Sequence, residues 1–135
     1  MYISVIINFI LTHITIAMKK ILVVLVITSI FACNNEEKYE QIAGEWECES
    51  WTVTGSDTDK CNGNVYFKFN ADKTYESKIG AAKDTGTYKI TNTILYTHAA
   101  GKEEIAVEIL KLNDKTLKLL MNQGGQEEIL TLGKK

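Results

Sequence analysis

The chain has no proline and no arginine, and only two histidines and three cysteines. Each scarcity closes off a class of function. Without proline, no strand is broken by a residue that lacks a backbone donor. Without arginine, lysine is the sole strong cation, and from Cys33 onward 13 lysines face 17 aspartates and glutamates, a formal charge of −4. Nucleic-acid binding needs clustered cations that displace counterions, and phosphate recognition favours the planar guanidinium fork, so the composition argues against both.

The same holds for catalysis and metals. His98 is the single histidine after Cys33, and it falls in an expected loop between Thr97 and Ala99. A serine or cysteine triad would have to run through it, and no Gly-x-Ser-x-Gly turn offers a nucleophile. One histidine far in sequence from Cys48 and Cys61 does not make a zinc site. Asp57 and Asp59 supply too few oxygens for calcium. The pairs Glu103-Glu104 and Glu127-Glu128 are adjacent on expected strands, so their carboxylates point to opposite faces. The chain reads as non-enzymatic, with no metal and no other cofactor.

What is present begins with Lys19 to Cys33, KKILVVLVITSIFAC. Two lysines lead into an apolar run, Ile21 to Ala32, which ends on a small residue: the plan of a secretory signal peptide. The run is shorter than the roughly 20 apolar residues a spanning helix needs. Met1 to Ala17 is also largely apolar, but joining the two runs would put Lys19 and Lys20 inside hydrocarbon. Residues 1–32 are therefore assigned to a signal peptide, with translation starting at Met1 or at Met18.

Ile30-Phe31-Ala32-Cys33 resembles the lipobox of bacterial lipoproteins, with Ile30 and Phe31 standing where that family prefers leucine and a small residue. The resemblance implies that Cys33 is the lipid attachment site and that the peptide before it is removed. Several acyl chains, at about 0.8 kcal/mol per buried methylene, give lasting membrane attachment. An uncleaved signal anchor, with Cys33 an ordinary cysteine, is the alternative. Residues 33–40 read as a lipidated flexible tether, since Cys33-Asn34-Asn35-Glu36-Glu37-Lys38 is polar throughout after its cysteine. Glu36-Glu37 resembles the export signal of surface lipoproteins in Bacteroidetes. The expected location is the cell envelope, anchored to the outer membrane on its periplasmic face or at the cell surface.

From Gln41 the pattern is β. Glu45, Glu47 and Glu49 alternate with Trp46, Cys48 and Ser50, after which Trp51 and Val53 fall on the glutamate face, so that either a bulge intervenes or Trp51 is exposed. Val65, Phe67 and Phe69 mark a second strand, Tyr75, Ser77 and Ile79 a third, and Gly86 to Ile90 a fourth. Thr93 to Thr97 is a fifth. Ile105, Val107 and Ile109 point inward on a sixth until a bulge near Lys111 reverses the phase. Leu117, Leu119 and Met121 point inward on a seventh, and Gln126 to Leu132 is the last. Short turns between successive strands favour neighbour pairing, and closure removes exposed edges. The expected fold over residues 41–135 is all-β: a small eight-stranded antiparallel up-and-down barrel.

Gly44-Glu45-Trp46 resembles the Gly-x-Trp opening of lipocalins. The run Phe69-Asn70-Ala71-Asp72-Lys73-Thr74-Tyr75, followed by Gly86-Thr87-Tyr88-Lys89, is similar to the bacterial lipocalin-like lipoprotein domain, as is the rhythm of Leu95, Asp114-Lys115-Thr116-Leu117 and Leu119. Lys73 stands where the acidic turn of that family usually has glycine. The resemblance implies a lipocalin-like barrel and no common chemistry.

In an oxidising compartment Cys48 and Cys61 are a natural disulfide, and a hairpin centred near Thr54-Gly55 would bring them opposite each other. Two unpaired core cysteines are the alternative. Two functions follow from such a barrel. In one, a small apolar ligand sits in the barrel mouth, lined by Trp46, Phe67, Phe69, Tyr75 and Tyr88. In the other the barrel is solid and engages an envelope protein, as a complex subunit or enzyme inhibitor, through exposed Trp51 and Tyr96.

Overall fold

The computed structural model describes residues 35–135; the signal-type run and Cys33 lie outside the described residues. Eight strands follow one another: β1 (Gly44–Val53), β2 (Val65–Phe69), β3 (Thr74–Ile79), β4 (Ala82–Thr91), β5 (Ile94–Ala99), β6 (Glu104–Leu112), β7 (Thr116–Gln123) and β8 (Gln126–Lys134). Each pairs antiparallel with its successor, and β8 returns to β1, so the sheet closes into a barrel. The alternation of side chains drives this closure. Val65, Phe69, Tyr75, Tyr88, Leu95, Leu117, Leu119, Leu130 and Leu132 all turn to one face and are buried there.

Two irregularities keep that face apolar. The β1–β8 ladder slips between Cys48 and Ser50, so that Cys48 opposes Leu132 and Trp51 opposes Leu130 on the same inner side. Trp51 is consequently 8% exposed, and the option of an exposed Trp51 is corrected by the bulge. A second slip, between Ile109 and Lys111, turns Leu112 inward opposite Leu117 and leaves Leu110 outside.

An up-and-down barrel has its turns at two ends. The β2–β3, β4–β5 and β6–β7 turns form the base. The mouth carries the β1–β2 loop (residues 54–64) and the β3–β4, β5–β6 and β7–β8 turns.

Residues 35–42 form a short helix, α1, which covers the base. This corrects the expectation of a flexible tether over 33–40 for the part that is described. The polar count of that stretch hid two anchors three residues apart, Tyr39 and Ile42, which share one helix face. Ile42 is fully buried, and its carbonyl accepts the indole N–H of Trp46 at 2.7 Å. Tyr39 packs beside Tyr88, and its hydroxyl accepts the N–H of Ile90 at 2.9 Å. Lys38 and Lys134 add bonds to the Asn92 and Gln41 carbonyls. Burying one large apolar side chain contributes about 1.5–3 kcal/mol, enough to hold two turns of helix that would not persist alone. Among the described residues no helix is long and apolar enough to cross a membrane.

Other boundaries moved outward from the alternation pattern. β4 starts at Ala82, ahead of Gly86, and β5 runs on to Ala99. His98, expected in a loop, is a strand residue opposite Thr87 on one side and Glu104 on the other, with its side chain exposed. Gly86 sits where β4 and β5 press together: a Cβ there would collide with the His98 carbonyl, so only glycine fits.

Candidate functional site

The barrel is filled at its base and hollow toward its mouth. At the base, Trp46, Ile42, Leu117 and Leu132 are completely buried, and Phe69 meets Tyr88 edge to face at 5.0 Å. Tyr88 also donates its hydroxyl to the Asn70 carbonyl at 2.9 Å, and burial pushes its pKa up to about 12. Above this layer lies a cavity of about 120 Å³ that opens at the mouth. Phe69, Tyr75, Leu95 and Leu130 floor it, while Val107, Leu119 and Met121 form an apolar wall from β6 and β7. Ile79 and Ile105 stand at the rim, 42% and 60% exposed. Ile105 points inward as its alternation requires, but it sits too near the opening to be covered.

The wall from β3, β4 and β5 is different in kind. Ser77 and Asp84 face each other across the β3–β4 ladder, and Thr97 follows on β5. Tyr75 lies below them, its pKa raised by burial and drawn part of the way back by a hydrogen bond with Thr97. Asp84 accepts a bond from Lys102, which reaches over from the β5–β6 turn, at 2.6 Å. One side of the cavity is therefore aliphatic up to Gln123 at the end of β7, and the other offers hydroxyls and a carboxylate.

The 54–64 loop closes the gap where β1 and β2 diverge. Cys48 and Cys61 form a disulfide, with Cα atoms 5.8 Å apart. Asp59 accepts the N–H groups of Cys61 and Trp51, both at 2.9 Å, and these bonds hold its carboxyl below the ordinary aspartate value. Lys60 donates its N–H to the Trp51 carbonyl, and its ammonium lies 5.5 Å from the indole ring and 2.5 Å from Glu128. Glu128 is 3% exposed and also accepts the indole N–H of Trp51 at 2.6 Å. The Lys60 hydrogen bond holds the Glu128 pKa below the ordinary glutamate value against the opposing effect of burial, and the Trp51 bond adds to the lowering. A buried carboxylate with two donors is satisfied, so this cluster fixes the loop and the rim.

Of the aromatics expected to line a binding site, Phe67, Phe69 and Tyr75 border the cavity. Trp46 and Tyr88 do not: both belong to the closed base under α1. Tyr96 is half-buried on the outer face beneath Lys89, whose ammonium is 4.7 Å from its ring. Asp84 was not singled out in the sequence; Ser77 and Thr97 entered only as strand positions, and Glu128 only as half of the Glu127-Glu128 pair. Their signal was available in one form, as polar residues at inward positions of alternating strands. Among the described residues, no group of three histidine, cysteine, aspartate or glutamate side chains is placed to hold a metal ion.

A closed eight-stranded barrel, plugged at one end by a helix and cupped at the other, defines an architecture of the binding-barrel kind. The family model described as "Lipocalin-like domain" matches residues 42–119, and the chain belongs to that family. Two solved structures from Bacteroides have a similar fold. One, described as an uncharacterized protein from Bacteroides eggerthii DSM 20697, aligns with a TM-score of 0.57 and 11% identity over 70% of this chain and 99% of its own. The other, a lipocalin-like protein from Bacteroides uniformis ATCC 8492, aligns with a TM-score of 0.54 and 14% identity over 70% of this chain and 99% of its own. No curated protein matches the sequence.

Proposed function

We propose that this protein is a lipid-anchored lipoprotein of the cell envelope, held to the outer membrane through Cys33, whose barrel binds a small apolar ligand without transforming it. The observation that carries the binding half is the cavity of about 120 Å³, apolar on its floor and one wall and open at the mouth. Its size limits the ligand. Pockets for drug-sized molecules run to about 300–1,000 Å³, whereas an apolar cavity near 150 Å³ holds a single benzene ring. The ligand is then ring-sized, or larger with only one end inserted. Asp84 is the one charged side chain among the cavity-lining groups, with no second charged group beside it in the lining, which favours binding over catalysis.

Filling the cavity tests this directly. Val107→Phe adds a ring to the apolar wall without removing a polar contact. The variant is expected to lose ligand while keeping its fold and melting temperature, and a fully liganded Val107→Phe protein would refute the site. The anchoring half rests on the likeness of Ile30 to Cys33 to a lipobox. Mass spectrometry of the N-terminal peptide is expected to find Cys33 as the first residue and carrying acyl chains; an unmodified Cys33 with the preceding run still attached would count against a lipid on Cys33.

A further inference from the structure

The cavity is lined by one charged group. Among the described residues that border it, Asp84 is the sole side chain with a formal charge, and it stands across from Ser77 on the wall that also carries Thr97. Lys102, the counter-ion of Asp84, is more than half exposed and belongs to a turn, and it is not part of the lining. Within the hydrogen-bonding pattern Lys102 engages one carboxylate oxygen, Oδ1. A pair of this kind, at the surface and on a long flexible side chain, holds its partner weakly. The carboxylate is therefore available to a bound molecule that brings its own cation. An anionic head group in the same place would meet Asp84 at close range, with no cation in the lining to offset it.

From this arrangement we propose that the ligand is a small amphiphilic amine. Its apolar body, about the size of one ring, lies on Phe69, Tyr75 and Leu119, and its ammonium replaces Lys102 at Asp84 with Ser77 and Thr97 as further acceptors. The proposal rests on the reading of the barrel as a ligand carrier and adds the sign and position of the head group. An ammonium at the rim keeps part of its hydration while donating to the carboxylate, so the site need not desolvate a charge completely.

The test uses three compounds with the same apolar body: benzylamine, benzyl alcohol and benzoate, titrated against the purified full-length chain by saturation-transfer NMR. Benzylamine is expected to bind at least about tenfold more tightly than benzyl alcohol, and benzoate more weakly than either, as a charge-assisted bond exceeds a neutral one. Asp84→Asn should remove the amine's advantage and leave benzyl alcohol unchanged. Lys102→Ala, which deletes the competing cation, should tighten benzylamine several-fold. Equal affinities for amine and alcohol, a preference for benzoate, or an Asp84→Asn variant that keeps the amine preference would overturn the head-group assignment while leaving the carrier reading standing. Failure of all three compounds to bind at millimolar concentration would overturn both.

Discussion

Lys73 has φ of 67°, in the left-handed region where a side chain is strained and glycine is not. It occupies the last place of the β2–β3 turn, with its carbonyl accepting the Tyr88 N–H at 2.8 Å. Its ammonium lies 4.4 Å from the Tyr39 ring, so a cation–π contact worth roughly 0.5–1 kcal/mol offsets a strain of about 1–2 kcal/mol. Lys73→Ala keeps the strain and loses the contact, and should destabilise by about 0.5–1 kcal/mol in urea unfolding. Lys73→Gly loses the contact but relieves the strain, and should lie within about 1 kcal/mol of the parent. If the alanine variant is the more stable of the two, this account of the turn is wrong. Tyr88 gives a second test at the same scale. Its folded pKa of about 12 stands above the usual 10.0, so the unfolded chain releases the phenol proton first. The resulting stability is complete below pH 10, erodes above it, and is lost once pH passes 12. The urea midpoint should fall as pH rises from 10.0 toward about 12, and Tyr88→Phe should flatten that fall.

Among the elements, the 54–64 loop and α1 depart most from simple strand alternation. The loop is tied by the Cys48–Cys61 disulfide, the Asp59 bonds and the Lys60–Glu128 pair. Replacing both cysteines with serine should cost about 3 kcal/mol, the value the chain-entropy model gives for a loop of this length. A loss much below 1 kcal/mol would mean that Asp59 and Lys60 hold the loop without the bond. The strands themselves were legible because alternation has a period of two and eight segments repeat it. Glu128 was not, because one partner, Lys60, comes from the loop over the rim and the other, Trp51, turns inward only through the β1 bulge. The helix was hidden by its glutamates, which face solvent while Tyr39 and Ile42 do the docking. Gly86 explains itself only once β5 is in place, since its reason is the His98 carbonyl on the neighbouring strand.

For the whole molecule, closure and capping divide the barrel into two functional halves. The base contains the largest buried side chains and the helix, and supplies stability. The mouth contains exposed Ile79 and Ile105, the polar wall and the cavity, the place of the proposed ligand. This division decides which expected site residues matter. Trp46 and Tyr88 are aromatic and inward, as are Phe67 and Tyr75, yet height along the barrel separates them, and height depends on register across all eight strands. Sequence alternation gives the face and not the level, which is why the expected aromatic set mixes residues of the closed base with residues that border the cavity. Membership of the lipocalin-like family agrees with a barrel of this plan. The central claim is that the hollow half carries a ligand. Native mass spectrometry of the protein purified gently from the cells that make it tests it most directly. A discrete added mass that vanishes on denaturation, and is missing from Val107→Phe, is the predicted result; a bare mass from both proteins would contradict it.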